Sequence, residues 1–348
     1  MSYIFDNGFH TYFGVAVSCN NNAEKELKER CYKALDEMKI NNNESIVRLE
    51  KELEFINEEG ISEFFIKAFD LVNEIKKKEI YYFCDGSSTG SLVNYLLGIT
   101  VINPIEYGLL FERFVISDYK KYPIIDMKIL EKDKEKLIEC IDNIFNGYDR
   151  KIIDDNFFHD NCCKVGIISY KESELNRMYS FLEAYKDYPF KDLVNIYSLH
   201  RPGVTPTINQ YISTFKREMF VGRDELFKNI VKETLNWFIY QEQYIQAFSL
   251  VYGIDLSEAT RLFYRFKCFK NEDYNDLLVE WILKALENGI AEIDAHRYTA
   301  MFINGAMTAV PLKSHFLSLV YELVKINNWQ TLLFIKTEVP IWKNITKD

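Results

Sequence analysis

The stretch "EIYYFCDGSSTGSLVNYLLG", residues 79 to 98, constrains the fold more than any other part of this chain. Its opening residues, rich in aromatics, read as a short strand. The small residues after Cys84 read as a turn, and Leu92, Tyr95 and Leu96 as the apolar face of a helix that begins near Thr89 and stops at Gly98. A strand that runs through such a turn into a helix exposes backbone N–H groups at the positive end of the helix dipole, which suits a phosphate. No lysine follows the second glycine, so this is not a Walker loop, and the three-glycine spacing of a dinucleotide loop is absent. Gly-Ser turns of this kind often serve only as caps. Asp85, at the end of the strand, opposes a polyanion unless a metal lies between them.

Helical patterns surround this unit. Leu27, Cys31, Leu35 and Met38 recur at helical spacing from Glu24 until the asparagines at 41 to 43. Ile46, Leu49, Leu53 and Ile56 form a second stripe that stops at Gly60, and Phe65, Phe69, Val72 and Ile75 a third that runs from Ser62 into Lys76, Lys77 and Lys78, a solvated helix end. "GLLFERFV" reads as a compact helical stretch and "YPIIDMKI" as a strand. Residues 131 to 163 are polar and poorly patterned, and beyond Val165 the chain reads as mainly helical. Residues 1 to 22 carry no clear period.

At 348 residues, 48% of them hydrophobic, the chain can bury one large core or two modest ones. A net charge of −10 argues against a protein whose main activity is coating nucleic acid, since that affinity comes from neutralised phosphates. A local basic groove remains compatible with it. Seven cysteines without a Cys-x-x-Cys pair do not make a disulfide framework. No basic start followed by an apolar stretch opens the chain, and no apolar run approaches the ~20 residues of a membrane helix, so a cytoplasmic protein with no membrane association is expected.

Longer stretches carry a resemblance. "RLEKELEFINEEGISEFFIKAFDLVNEIKKKEI" followed by "GSSTGSLVNYLLGITVINPIEYGLLFERFV" resembles the start of the palm in the bacterial replicative DNA polymerase III alpha subunit, a C-family polymerase. Further on, "VGIISYKES", "YPFKDLVNIYSLHRPGV", "IYQEQYIQAFSLVYGIDLSEA", "DAHRYTAMF" and "LKSHFLSLVY" resemble its fingers in the same order. The resemblance implies an α+β protein: a polymerase-beta-like nucleotidyltransferase palm remnant with a small mixed sheet, then a mainly helical fingers-like region. The expected organisation is an arm at 1–23, a palm-like domain at 24–130, a shortened junction at 131–164, a helical fingers-like domain at 165–330 and a tail at 331–348. The family's N-terminal phosphoesterase domain and the regions beyond its fingers have no counterpart in this sequence, so a palm-and-fingers remainder is expected.

The resemblance also implies site residues. Gly86 and Ser87 match the turn that helps hold the triphosphate, but the arginine that normally precedes it is Asp85 here. The family writes its metal site as proline followed by aspartates at alternate positions, which face the same way on a strand. Here the segment is Pro123-Ile124-Ile125-Asp126-Met127-Lys128, so one acid survives, Asp126. Two metal ions that clamp the attacking and leaving oxygens require several converging carboxylates. Lys128, about 7 Å along the same face, would pair with Asp126 and compete with an ion. A further family aspartate comes from a later strand, and "KIIDDNFFHD" resembles a helix-opening run rather than that strand.

In the fingers, Arg201-Pro202-Gly203 matches the family's Arg-Pro-Gly, with Arg201 a candidate phosphate contact, and Tyr240-Gln241-Glu242-Gln243 is intact. The basic cluster is displaced to Arg261, Arg265, Lys267 and Lys270, candidate DNA contacts that would also serve as a solvated basic face. His296 and His315 fall where the family has histidines and read as packed or capping residues. His159, Cys162 and Cys163 invite a zinc reading, but adjacent cysteines chelate awkwardly and no second pair completes four ligands, so no metal is expected. The leading expectation is a pseudo-polymerase without cofactor that binds primed or single-stranded DNA, a nucleotide or replication proteins. The alternative is an active Mg2+-dependent nucleotidyltransferase that combines Asp126 with Asp149, Asp154, Asp155 or Asp160. A third is a decayed fragment with no activity.

Overall fold

The structure is a computed structural model that describes residues 10–15, 21–115, 122–145, 149–151, 163–200, 206–217, 225–268, 274–307 and 313–326. Strand β1 (His10–Val15) is followed by three helices, α1 (Asn21–Glu37), α2 (Asn43–Glu58) and α3 (Ser62–Lys77), where the apolar spacing places them. Helix α1 ends in a left-handed turn at Lys39, φ +55°, and the asparagine run opens α2, because the Asn42 side chain accepts a hydrogen bond from the Ser45 N–H at 2.9 Å. Strand β2 (Tyr82–Asp85) enters a 3-10 turn over Gly86–Gly90, and α4 (Leu92–Leu96) starts only after it. Of "GLLFERFV", only α5 (Glu112–Val115) is helical.

Strand β3 (Ile124–Leu130) is followed by α6 (Lys134–Ile144), β4 (Asp149–Lys151) and β5 (Cys163–Tyr170). The remaining helices are α7 (Glu172–Glu183), α8 (Phe190–Leu199), α9 (Pro206–Arg217), α10 (Lys228–Val231), α11 (Gln241–Tyr252), α12 (Leu256–Cys268), α13 (Tyr274–Glu287), α14 (Glu292–Met307) and α15 (Lys313–Ile326). The strands form one mixed five-stranded sheet in the order β2-β3-β5-β1-β4, with β3 and β5 parallel and the other pairs antiparallel.

This sheet takes in segments that the sequence boundaries assign to an arm, a junction and the fingers. Residues 10 to 15 lack a readable period because their pairing is decided by β5 and β4, far away in the chain. Residues 163 to 170 are a central strand, buried along their whole length, and such a run shows no alternation to separate it from a helix. The expected junction holds α6, whose Leu137, Ile138 and Ile141 fill the core among many charged neighbours.

Alternation along the strands separates two faces. Cys84, Ile125, Met127, Ile129, Cys163, Val165 and Ile167 pack with α1, α2, α3 and α6 in one core. Phe83, Ile168 and Tyr170 point the other way and pack with α7, α8 and α15. A separate core joins α11 to α14 through Phe248, Phe263, Trp281 and Phe302. Helix α15 returns from the far end of the sequence to the β2 unit: Tyr81 Oη donates to Glu322 Oε2 at 2.8 Å, and Thr89 Oγ1 and Ser318 Oγ lie 3.1 Å apart.

Candidate functional site

The site is the second face of the sheet at the ends of β2, β3 and β5. Antiparallel register sets Asp85 directly opposite Asp126 and Phe83 opposite Lys128. Parallel register sets Gly166 level with Asp126, and Lys164 level with Ile124. The face therefore carries Asp85 from β2, Ile124, Asp126 and Lys128 from β3, and Lys164, Gly166 and Ile168 from β5. Two acids and two lysines share it.

Sequence spacing names Asp126 as the partner of Lys128, since one strand shows nothing of its neighbours. In the fold Lys128 has a partner across strands: its Nζ lies 3.6 Å from Asp85 Oδ1, with the two side chains 3% and 2% exposed. The ammonium also stands 5.5 Å from the centre of the Tyr170 ring. The resemblance expects a base at position 85 and an acid at 128. Both signs are reversed here, and the reversed residues pair with each other.

These residues do not fit a two-metal centre. Ile124 offers no oxygen, the Asp85 carboxylate is engaged by Lys128, and Gly166, on the strand beside Asp126, has no side chain at all. An ion held by Asp126 would lie within a few ångströms of a buried ammonium. Asp149 of β4 is no substitute: three strand spacings, about 14 Å, separate its backbone from β3, whereas paired metals sit ~4 Å apart. Asp154, Asp155 and Asp160 lie outside the described residues, as do His159 and Cys162 of the zinc reading, while Cys163 is buried on the opposite face. Among the described residues, no group of three or more His, Cys, Asp or Glu could hold a metal ion. Burial, reinforced by the charges of Asp85 and Asp126, pushes the Cys84 thiol well above its ordinary value and keeps it protonated.

The turn has also changed its chemistry. Gly86 has φ +72°, which a side chain would strain, and a Cβ there would lie 3.8 Å from Asp126 Oδ2. An anion at Gly86 and Ser87, which are half-buried, meets that carboxylate. Further along, Glu52 of α2, fully buried, fills the start of α4: it accepts from the N–H groups of Leu92 (2.9 Å) and Val93 (3.1 Å) and from the Ser91 hydroxyl (2.8 Å). Arg48 Nε donates to the same carboxylate at 2.6 Å, and its Nη2 donates to the Gly90 carbonyl at 2.6 Å. A resident anion thus occupies the first N–H groups of α4, just beyond the turn. Gly90 admits no side chain, since a Cβ would come 2.6 Å from the Leu110 carbonyl oxygen.

Sequence reasoning missed Glu52, although a signal was present: it sits three residues after Leu49 and one before Leu53, inside the buried stripe of α2. Lys164 and Gly166 were hidden with the strand that carries them.

In the helical part, the intact motif is structural. Tyr240 Oη donates to Asn195 Oδ1 at 2.5 Å, Gln241 Oε1 accepts from Arg113 Nη2 at 2.7 Å, and Gln243 Oε1 accepts from the N–H of Ile239 at 2.7 Å. Glu242 receives the first N–H of α15, from Lys313, at 3.0 and 3.2 Å. Of the basic cluster, Arg265 Nη1 and Nη2 each donate at 2.8 Å to the two oxygens of Glu280, so its fork is filled by protein. Arg261 is exposed one turn earlier on α12, and Lys267 is half-buried. Arg201 and Lys270 lie outside the described residues. His296 is exposed on α14, and His315 lies on α15.

Comparison with known proteins agrees with this geometry. Residues 19–157 match the family model for the bacterial DNA polymerase III alpha NTPase domain, and residues 150–289 that for the DNA polymerase III alpha subunit finger domain. The DNA polymerase III subunit alpha of Aquifex aeolicus is 36% identical over 152 residues, 42% of this chain and 13% of that protein. That of Mycoplasma genitalium is 32% identical over 149 residues, 42% of this chain and 16% of its own length. For the Staphylococcus epidermidis protein the figures are 37% over 115 residues, 33% and 11%. The matches thus take in less than a fifth of each relative's length. With two domain models of one family matched in order and together spanning residues 19–289, the chain belongs to the bacterial DNA polymerase III alpha family.

Proposed function

We propose that this chain is a polymerase III alpha-like protein that does not transfer nucleotides and acts by binding a component of the replication apparatus. The observation that supports this most is the charge arrangement on the site face, where Asp126 stands between Ile124 and Lys128, level with Gly166, and the opposite acid is tied to Lys128. Of the possible occupants, a protein accords better with the chain than a nucleic acid does. The net charge is −10, and one of the four bases expected to meet DNA is already paired with Glu280. Nothing in the described part of the 149–160 segment favours the catalytic alternative, since β4 lies three strands away from Asp126.

Primer extension tests the reading. With primed template, all four deoxynucleotides and either Mg2+ or Mn2+, the chain is expected to give no extended product, and Asp126→Ala to change nothing. Extension that Asp126→Ala abolishes refutes it.

A further inference from the structure

Helix α13 buries Leu277, Trp281, Ile282 and Ala285 against its neighbours and presents a second apolar stripe to the outside. Val279, Leu283 and Leu286, spaced four and three residues apart, are 59%, 54% and 37% exposed. The end of α11 lies nearby, since Asn288 Nδ2, just past α13, donates to the Leu250 carbonyl at 3.0 Å, and Leu250 is itself exposed. Ile293, at the start of α14, is 82% exposed. Single exposed apolar residues mean little, but a stripe on one helix face, on the order of a few hundred Å2, has the size of an interaction site.

Helical spacing lines Asp276, Glu280 and Glu287 along one edge of this stripe. Arg265 answers Glu280 and Lys284 answers Glu287, at 2.8 and 3.7 Å, so the edge keeps an excess of acid, and exposed Glu292 adds to it beyond the end of α13. A second copy of this chain, itself at −10, would bring like charge to that edge. A stripe one helix wide with an acidic border matches an amphipathic helix whose apolar face is flanked by lysine or arginine.

We propose that the outer face of α13 is the docking surface for a basic amphipathic helix of a partner protein. This rests on the binding role proposed above and supplies the partner's chemistry. Leucines of the incoming helix lie on Val279, Leu283 and Leu286, and its cations lie along the acidic edge, beside Asp276 and Glu292.

The test uses the full chain and two labelled synthetic helices of 18 residues, with the same leucine face but flanked by lysines in one and glutamates in the other, in an anisotropy titration. The lysine helix is expected to bind, with affinity at least tenfold weaker for Val279→Asp and for Leu283→Asp. Both positions are exposed, and an unchanged urea midpoint verifies that the variants fold. The glutamate helix is expected to bind at least tenfold more weakly to the unaltered chain. The proposal is overturned if the lysine helix does not bind, if both helices bind equally, or if the variants bind as the unaltered chain does. It is also overturned by a dimer in sedimentation velocity that Leu283→Asp abolishes, which assigns the stripe to a second copy. Binding to phosphatidylglycerol vesicles that Leu283→Asp abolishes assigns it to lipid, with the same consequence. Primer extension is a separate readout, so an active chain would refute the binding-only reading whatever the peptides do.

Discussion

Replacing Lys128 with methionine keeps the length of the buried side chain and deletes its charge. Asp85 then faces Asp126 without that ammonium between them, two carboxylates on neighbouring strands whose Cβ atoms stand about 5 Å apart. At an effective dielectric of about 20, the 3.6 Å contact between Lys128 and Asp85 is worth about 4–5 kcal/mol of attraction, and the facing acids repel by about 3 kcal/mol. Water compensates the loss of the pair little, since Asp85 and Lys128 are almost wholly buried, and it screens the facing acids only from the side of half-buried Asp126. Lys128→Met should therefore cost about 3–5 kcal/mol, the usual penalty for stranding one partner of a buried pair and a large part of a domain's stability. Asp85→Asn should cost less, because the ammonium left behind still has Asp126 two residues along its own strand.

The double variant, Asp85→Asn with Lys128→Met, removes both members of the buried pair together and should cost less than the sum of the two by at least about 2 kcal/mol. Urea unfolding followed by far-UV circular dichroism measures all four proteins, and equal m-values verify that the comparison is between like transitions. Additive losses, with a coupling energy below about 0.5 kcal/mol, would mean that the pair does not hold the two strands together, and the account of the reversed charges would fail.

Two further outcomes follow from the buried carboxylates. Glu52→Ala leaves Arg48, the Ser91 hydroxyl and two N–H groups of α4 without their acceptor and should lower the unfolding free energy by about 3–5 kcal/mol in urea; Glu52→Gln, which keeps one acceptor oxygen, should lose less. Burial raises the carboxyl groups of Glu242, Glu322 and Asp192 above their usual range, so the folded state takes up their protons first and the stability they contribute is lost as pH rises through that raised range. His200, lowered by burial, opposes this as pH falls below its ordinary value, and Glu233, lowered by Lys313 and Lys191 despite its burial, opposes it only in the ordinary carboxylate range. The comparison that isolates Glu242 is the urea midpoint between pH 7 and pH 5, where Glu242→Gln should remove part of the gain on acidification; parallel curves would refute it.

The sequence disclosed elements whose burial is one-sided. Helices α1, α2 and α3 each bury a single stripe, and the period of Leu27, Cys31 and Leu35, or of Leu49, Leu53 and Ile56, is written in the residues themselves. It hid elements whose environment is supplied by distant segments. Strand β5 is buried on both sides and shows no alternation, and β1 takes its conformation from partners about 150 residues away. The site divides in the same way. The phase that puts Asp126 and Lys128 on one face is a property of one strand and could be read. The contact between Lys128 and Asp85, and the position of Gly166 beside Asp126, depend on register between strands. No local pattern contains that information.

The parts of the chain that carry its family resemblance most visibly are held by packing. Tyr240, Gln241, Glu242 and Gln243 tie α8, α5, the start of α15 and the approach to α11 to one another, each through its own hydrogen bond. The Gly-Ser turn is closed by Glu52 beneath α4 and by Ser318 of α15. In the sheet, departures from the expected pattern gather on one face of two neighbouring strands, at Asp85, Ile124 and Lys128. A motif match here measures whether the palm and fingers can assemble. Capacity for phosphoryl transfer is a different quantity, set by how many carboxylate oxygens converge beside Asp126, and an intact "YQEQ" contributes none.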